Sequence, residues 1–265
     1  MEISIPPVEG PPWSLDALFS LEDRLIVVTG ASSGIGERFA QVLDGLGART
    51  LLIARRETRL RSVVSTLRRA DYLVGDVSDD TSRSMLIEKV LEKGVPDGLV
   101  NNAGVAHVMP AIDERLEDFR RVLDVNLTAV FSMSTSFARA AIEDGRELSI
   151  VNVASVLGHL ASGQIPQASY AASKGGVVNL TRELAAQWAK LRIRVNAICP
   201  GWFPSEMTSE MFDSPSGTSW IARRTPMGRA GMLSELDGAL VYLLSSASSF
   251  MTGQSLIVDG GWSII

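Results

Sequence analysis

The chain has 265 residues, 46% of them hydrophobic, and a net charge of −5. The length suits one α/β domain, and the mild acidity excludes the clustered basic face of a nucleic-acid binder. No apolar run approaches the roughly 18 residues a membrane span needs, and the lone cysteine, Cys199, excludes an internal disulfide framework and suits a reducing cytoplasm.

Residues 1–20 read as an arm, because prolines at 6, 7, 11 and 12 oppose regular structure. The arm has neither the basic start nor the apolar stretch of a signal peptide, so a cytoplasmic location is expected. Residues 21–265 read as one domain. Short, apolar, β-branched runs at 25–29, 50–54, 72–75, 98–101, 149–154, 193–198 and 255–258 predict strands covered on both faces. Helices are predicted between them at 34–46, 57–69, 79–93, about 113–142, 169–191 and 234–244. This alternation predicts a doubly wound, parallel, seven-stranded sheet with helices on both faces, a single-domain Rossmann fold.

The first strand runs into Thr29-Gly30-Ala31-Ser32-Ser33-Gly34-Ile35-Gly36 as a helix opens. Such a turn lets backbone approach a pyrophosphate closely and aims helix N–H groups at it. A dinucleotide site for NAD usually carries an acidic residue after the second strand; here that place holds Arg55-Arg56. Two guanidiniums suit the 2′-phosphate of NADP, which makes NADP(H) the favoured cofactor and NAD(H) the alternative. The bland reading is a solvated arginine pair. Asp76 and Val77 follow the third strand and Asn102, Ala103 and Gly104 the fourth, at the edge where ligands bind in open sheets. Asp76 could accept a bond from an adenine amino group or simply cap a helix.

Tyr170 and Lys174 stand at i and i+4 on one predicted helical face, and a cation there would lower the phenol's pKa from about 10. Ser155 lies just past the fifth strand, on the same edge of the sheet. His107 and His159 fall in loops of that edge without the partners of a metal site, so no metal is expected. His159 is either a substrate contact or an ordinary loop residue. Cys199 reads as a buried structural cysteine.

In order along the chain, TGASSGIG (29–36), NNAG (101–104), VLDVNLTAVF around Asn126, Ser155, YAASK (170–174), PG (200–201) and VDGGW (258–262) resemble the short-chain dehydrogenase/reductase family. The resemblance runs from residue 25 to the C-terminus. It implies that Tyr170 donates a proton to a carbonyl oxygen as hydride arrives and takes it back in alcohol oxidation. It implies that Lys174 lowers the phenol's pKa and binds the nicotinamide ribose, Ser155 holds the developing oxyanion, and Asn126 positions a water behind Lys174. Pro200, Gly201, the Phe203 backbone and the Ser205 hydroxyl would bind the carboxamide. A homotetramer, or at least a dimer, is implied as well.

Two departures stand out: the arm, and the fifteen-residue spacing of Ser155 and Tyr170, two more than is common in the family. The extra residues fall in the loop 158–167, which resembles the family's substrate-facing loop. The segment 205–225, with Met207, Met211, Phe212 and Trp220, reads as a mobile lid over a moderately apolar substrate, or as a fixed helix packed on the body. The expected activity is ketone or aldehyde reduction and its reverse on a small molecule. The alternatives are a 3-oxoacyl-thioester reductase and a catalytically silent cofactor-binding regulator.

Overall fold

A computed structural model describes residues 14–265. The four prolines of the arm lie outside the described residues; its last part forms a short helix, α1 (Leu15–Phe19), capped by the Ser14 side chain. The chain then runs β1 (Leu25–Thr29), α2 (Gly34–Gly45), β2 (Arg49–Ala54), α3 (Glu57–Val64), β3 (Ala70–Val74), α4 (Asp80–Lys93) and β4 (Gly98–Asn101). Next come α5 (Leu116–Leu123), α6 (Ala129–Glu143), β5 (Leu148–Val153), α7 (Ala168–Trp188) and β6 (Ile193–Pro200). It closes with α8 (Ser209–Phe212), α9 (Pro215–Arg224), α10 (Asp237–Leu244) and β7 (Ser255–Val258).

All seven strands are parallel, in the order β3-β2-β1-β4-β5-β6-β7. The order reverses between β1 and β4, which opens a crevice at their carboxyl ends. Alternation along the strands feeds two cores. Ile26, Val28, Leu52, Val100 and Ile198 meet Phe39 and Leu43 of α2 and Leu240 and Leu243 of α10. Val27, Leu51, Leu99, Ile150 and Val195 meet Leu86 of α4, Met133 and Phe137 of α6 and Leu184 of α7. The edge strands β3 and β7 are only partly covered, the inner ones almost wholly.

Several boundaries differ from the sequence expectation, two helices most of all. α3 stops at Val64 rather than near 69, because the Ser65 and Thr66 hydroxyls bond back to the Ser62 and Val63 carbonyls. Buried Asp44 then accepts the N–H groups of Arg68 and Arg69 at 2.8 and 2.7 Å and draws the chain into β3. The long helix expected at 113–142 begins at Leu116 and is interrupted by a π-turn at Asp124–Thr128. The added residue of that wider turn rotates Asn126 inward, where it is wholly buried.

Candidate active site

The glycine turn is built for close approach. Gly30 and Gly34 have φ of 66° and 59°, the left-handed region that favours glycine. A Cβ on Gly36 would lie 2.4 Å from the Gly30 carbonyl oxygen. Ser33 stands at the N-cap of α2 but makes no side-chain cap bond, so no side chain caps the first N–H groups there. An uncapped helix start behind a glycine turn fits a pyrophosphate. Ile35 is partly buried and packs against the core beside the turn.

Asn102, expected at the cofactor, braces the glycine turn. Its Nδ2 donates to the carbonyls of Thr29 and Gly30 at 3.0 and 3.1 Å, while the N–H groups of Asn102 and Ala103 donate to Thr29 Oγ1. Its amide therefore locks the glycine turn against the end of β4. Gly104 leaves a gap: a Cβ there would sit 3.5 Å from Asn126 Oδ1 and 3.6 Å from Lys174 Nζ.

The two arginines after β2 part company. Arg55 reaches Asp76 Oδ2 at 3.5 Å on the exposed side. Arg56 Nη2 instead turns onto the glycine turn, donating to Ser32 Oγ at 3.1 Å and Ser33 Oγ at 2.9 Å. Asp76 is not the cap of α4; Asp79 is, accepting from Ser82 N–H. Burial pushes the Asp76 carboxyl up, but bonds from Ser78 and the Arg55 charge outweigh it and hold the group low. Val77 is buried beside them.

Around Tyr170 the side chains are fixed by a buried polar network. Ser155, 7% exposed, follows β5 and accepts from Leu157 N–H at 3.1 Å. Lys174, 4% exposed, donates from Nζ to the Val153 carbonyl at 2.7 Å and lies 5.6 Å from the centre of the Tyr170 ring. Asn126 Nδ2 donates to Val105 O at 2.9 Å and to Ser173 Oγ at 3.0 Å, and its Oδ1 accepts from Val105 N–H. Its side chain thus ties the loop after β4 to the Tyr170 helix, a job that sequence reasoning gave to no residue.

The electrostatics differ from expectation. Burial raises the Tyr170 phenol above its ordinary value, and only the bond to the Ser155 hydroxyl opposes that. Burial also brings Lys174 down to about 8. Desolvation thus outweighs the charge effect expected for the i, i+4 pair.

Gly201 packs against Asp259, where a Cβ would meet the Asp259 Cα at 2.8 Å; Pro200 ends β6 beside it. Phe203 is buried in the core, its carbonyl taken by Thr208 Oγ1 at 2.8 Å. Thr208 also accepts from Ser205 N–H at 2.9 Å and sits 3.0 Å from the Ser205 hydroxyl. Neither Thr208 nor Glu206, which reaches Arg56 at 2.8 Å, was singled out in the sequence. The partners of Glu206 lie on other loops, so no local pattern marks it, whereas Thr208 closes a capping box with Ser205 three residues before it.

The wall beside Tyr170 is aromatic. Trp202, Trp220 and Trp262 pack edge-on or tilted with centroids 5.1–5.8 Å apart, in one cluster with Val156, Leu157, Leu160 and Tyr170. Trp220 belongs to α9, and its Nε1 donates to Gln164 Oε1 in the loop 158–167 at 2.8 Å. Met207 stays exposed, and Met211 and Phe212 are absent from that cluster. His159 turns Nε2 onto Cys199 Sγ at 3.5 Å, and burial followed by the Arg182 charge lowers its pKa. Burial lifts the Cys199 thiol to about 11, as suits a structural cysteine. His107 lies 3.4 Å from Glu114.

An open parallel sheet with a phosphate turn at its switch point and a Ser–Tyr–Lys set on the same edge defines a nucleotide-dependent oxidoreductase architecture. The chain belongs to the short-chain dehydrogenase/reductase family. A family model described as enoyl-(acyl carrier protein) reductase matches residues 30–263. Gluconate 5-dehydrogenase of Gluconobacter oxydans is 39% identical over 252 residues, covering 92% of this chain and 96% of that protein. The crystal structure of a gluconate 5-dehydrogenase from Burkholderia cenocepacia, in complex with NADP and tartrate, superposes with a TM-score of 0.88 at 34% identity. It covers 95% of this chain and 100% of its own. A 4-hydroxyisoleucine dehydrogenase complexed with NADH superposes at 0.87 and 30% identity, over 92% and 100%.

Proposed function

We propose that this protein is an NADP(H)-dependent oxidoreductase that interconverts a ketone of a polyhydroxy acid and the matching secondary alcohol, with Tyr170 as acid and base. The observation that carries the reading is the gathering of Ser155, Tyr170 and buried Lys174 at the sheet edge that also holds the uncapped glycine turn. The nicotinamide, when bound, supplies or takes up the hydride. Ser155 holds the substrate oxygen, and the Tyr170 phenol gives it a proton in reduction and takes one in oxidation. Lys174, pinned by Val153, binds the ribose. Asn126 holds the helix and the loop after β4 in register, with its family role toward a water left to its remaining surroundings.

Arg56 on the glycine turn supports NADP(H) over NAD(H), and relatives named with each cofactor occur at similar likeness. The substrate class follows the relatives' names and departs from the apolar substrate expected of the lid. Indole rings stack on the C–H faces of a sugar chain as well as on apolar groups, so the tryptophan wall suits both. The segment 205–225 acts as a lid of residues 21–265, with α9 docked on the loop 158–167.

The exposed apolar residues Met85, Leu116 and Phe131 on α4, α5 and α6 support a homotetramer or dimer. Among the described residues no helix is long and apolar enough to cross a membrane, and we place the enzyme in the cytoplasm, which its single cysteine suits. NADPH consumption with 5-ketogluconate and other keto acids tests the assignment. Turnover of 3-oxoacyl thioesters alone would favour the acyl reductase, and cofactor binding without turnover of either would favour the silent regulator.

A further inference from the structure

The Glu206 carboxylate lies where an anion would be bound. It accepts from Arg56 at 2.8 and 3.1 Å and from the Ser33 hydroxyl at 3.2 Å, with Arg59 at 3.7 Å. These donors come from the glycine turn and the first turn of α3, whereas Glu206 comes from the start of the segment after β6. The crossing is close: a Cβ on Gly34 would lie 3.4 Å from Ser205 Cβ. The bond from Arg56 is the largest of the causes that hold the Glu206 carboxyl below its ordinary range.

Arg56 is also the guanidinium that the proposed function assigns to the cofactor 2′-phosphate, and the inference rests on that reading. One guanidinium cannot give the same N–H groups to two anions, and a second anion beside Glu206 would meet its charge. We infer that Glu206 competes with the 2′-phosphate for Arg56 and sets how strongly the protein prefers NADP(H) over NAD(H). Binding of the phosphorylated cofactor releases Glu206 from Arg56, whereas NAD(H) leaves the pair intact. The sequence gives no hint of this, since 150 residues separate the partners.

The test is calorimetric titration of the full chain with 2′,5′-ADP and with 5′-AMP, which differ only in the 2′-phosphate. Glu206→Gln keeps the shape and removes the charge. It should tighten 2′,5′-ADP roughly three- to tenfold, allowing for the half-exposed ion pair, and leave 5′-AMP unchanged as the control for folding. In an Arg56→Ala background the same substitution should gain less than half as much on a logarithmic scale. If Glu206→Gln leaves 2′,5′-ADP unchanged or weakens it while Arg56→Ala still loses the 2′-phosphate preference, the role of Glu206 is overturned and the clamp stands. Equal tightening of both nucleotides overturns it too. If the unmodified protein binds both nucleotides equally and Arg56→Ala changes nothing, the clamp itself falls.

Discussion

The Lys174 ammonium donates to the Val153 carbonyl across 2.7 Å, and Val153 stands two residues before Ser155. One buried bond therefore fixes the helix that carries Tyr170 against the strand that presents Ser155. The cost is a desolvated cation, and it has a pH signature. Lys174 titrates at about 8 in the folded chain against 10.5 when exposed. Folding releases its proton between those values, so stability contributed at this site rises with pH through that window. Lys174→Met should abolish turnover and give up the bond to Val153, and the gain from losing a desolvated cation should be largest at pH 7 and shrink toward pH 10. Urea unfolding of both proteins at several pH values measures it. A gain that grows with pH would contradict the account.

Asn126 joins Val105 and Ser173 with both ends of its amide used. Asn126→Ala strands a peptide N–H and carbonyl at the start of the loop after β4, which should cost about 2–4 kcal/mol. Turnover should fall at least tenfold, because the loop and the Tyr170 helix lose their tie. Denaturant titration with steady-state kinetics checks this; an unchanged midpoint would remove Asn126 from the network.

Much of this was legible in the sequence because the signals were local. The seven apolar runs gave the strands within a few residues, the glycine turn lies in eight consecutive residues, and the Tyr170/Lys174 spacing lies within one helix. Much of what escaped notice joins distant segments: Glu206 to Arg56, Trp202 to Trp262. The π-turn at Asn126 escaped because neither glycine nor proline marks the break in the segment 113–142. The phenol's pKa escaped because the i, i+4 spacing shows the charge and hides the burial.

The split of the arginine pair has a direct consequence. Arg56→Ala should lose roughly tenfold in NADPH affinity while NADH affinity stays within twofold, since it alone reaches Ser32 and Ser33. Arg55→Ala, which loses only an exposed pair with Asp76, should change NADPH affinity less than threefold. Fluorescence titration with each nucleotide separates them, and a larger effect at Arg55 would reverse the assignment.

Trp220 carries the contact between α9 and the loop 158–167 through Gln164. Trp220→Ala should raise KM for the keto acid roughly tenfold and leave NADPH binding unchanged, because the ring lies in the Tyr170 cluster and away from the phosphate turn. Weakened NADPH binding with an unaltered KM would place Trp220 outside the substrate wall.

The most direct test compares NADPH oxidation by the unmodified protein and by Tyr170→Phe, with 5-ketogluconate as substrate and NADPH affinity measured alongside. The phenylalanine keeps the ring in its cluster and removes only the proton donor. Turnover should fall at least about a hundredfold with nucleotide affinity unchanged, as expected for the loss of a general acid. Retention of more than about a hundredth of the rate would contradict the assignment of Tyr170 as the acid and, with it, the chemistry proposed for the site.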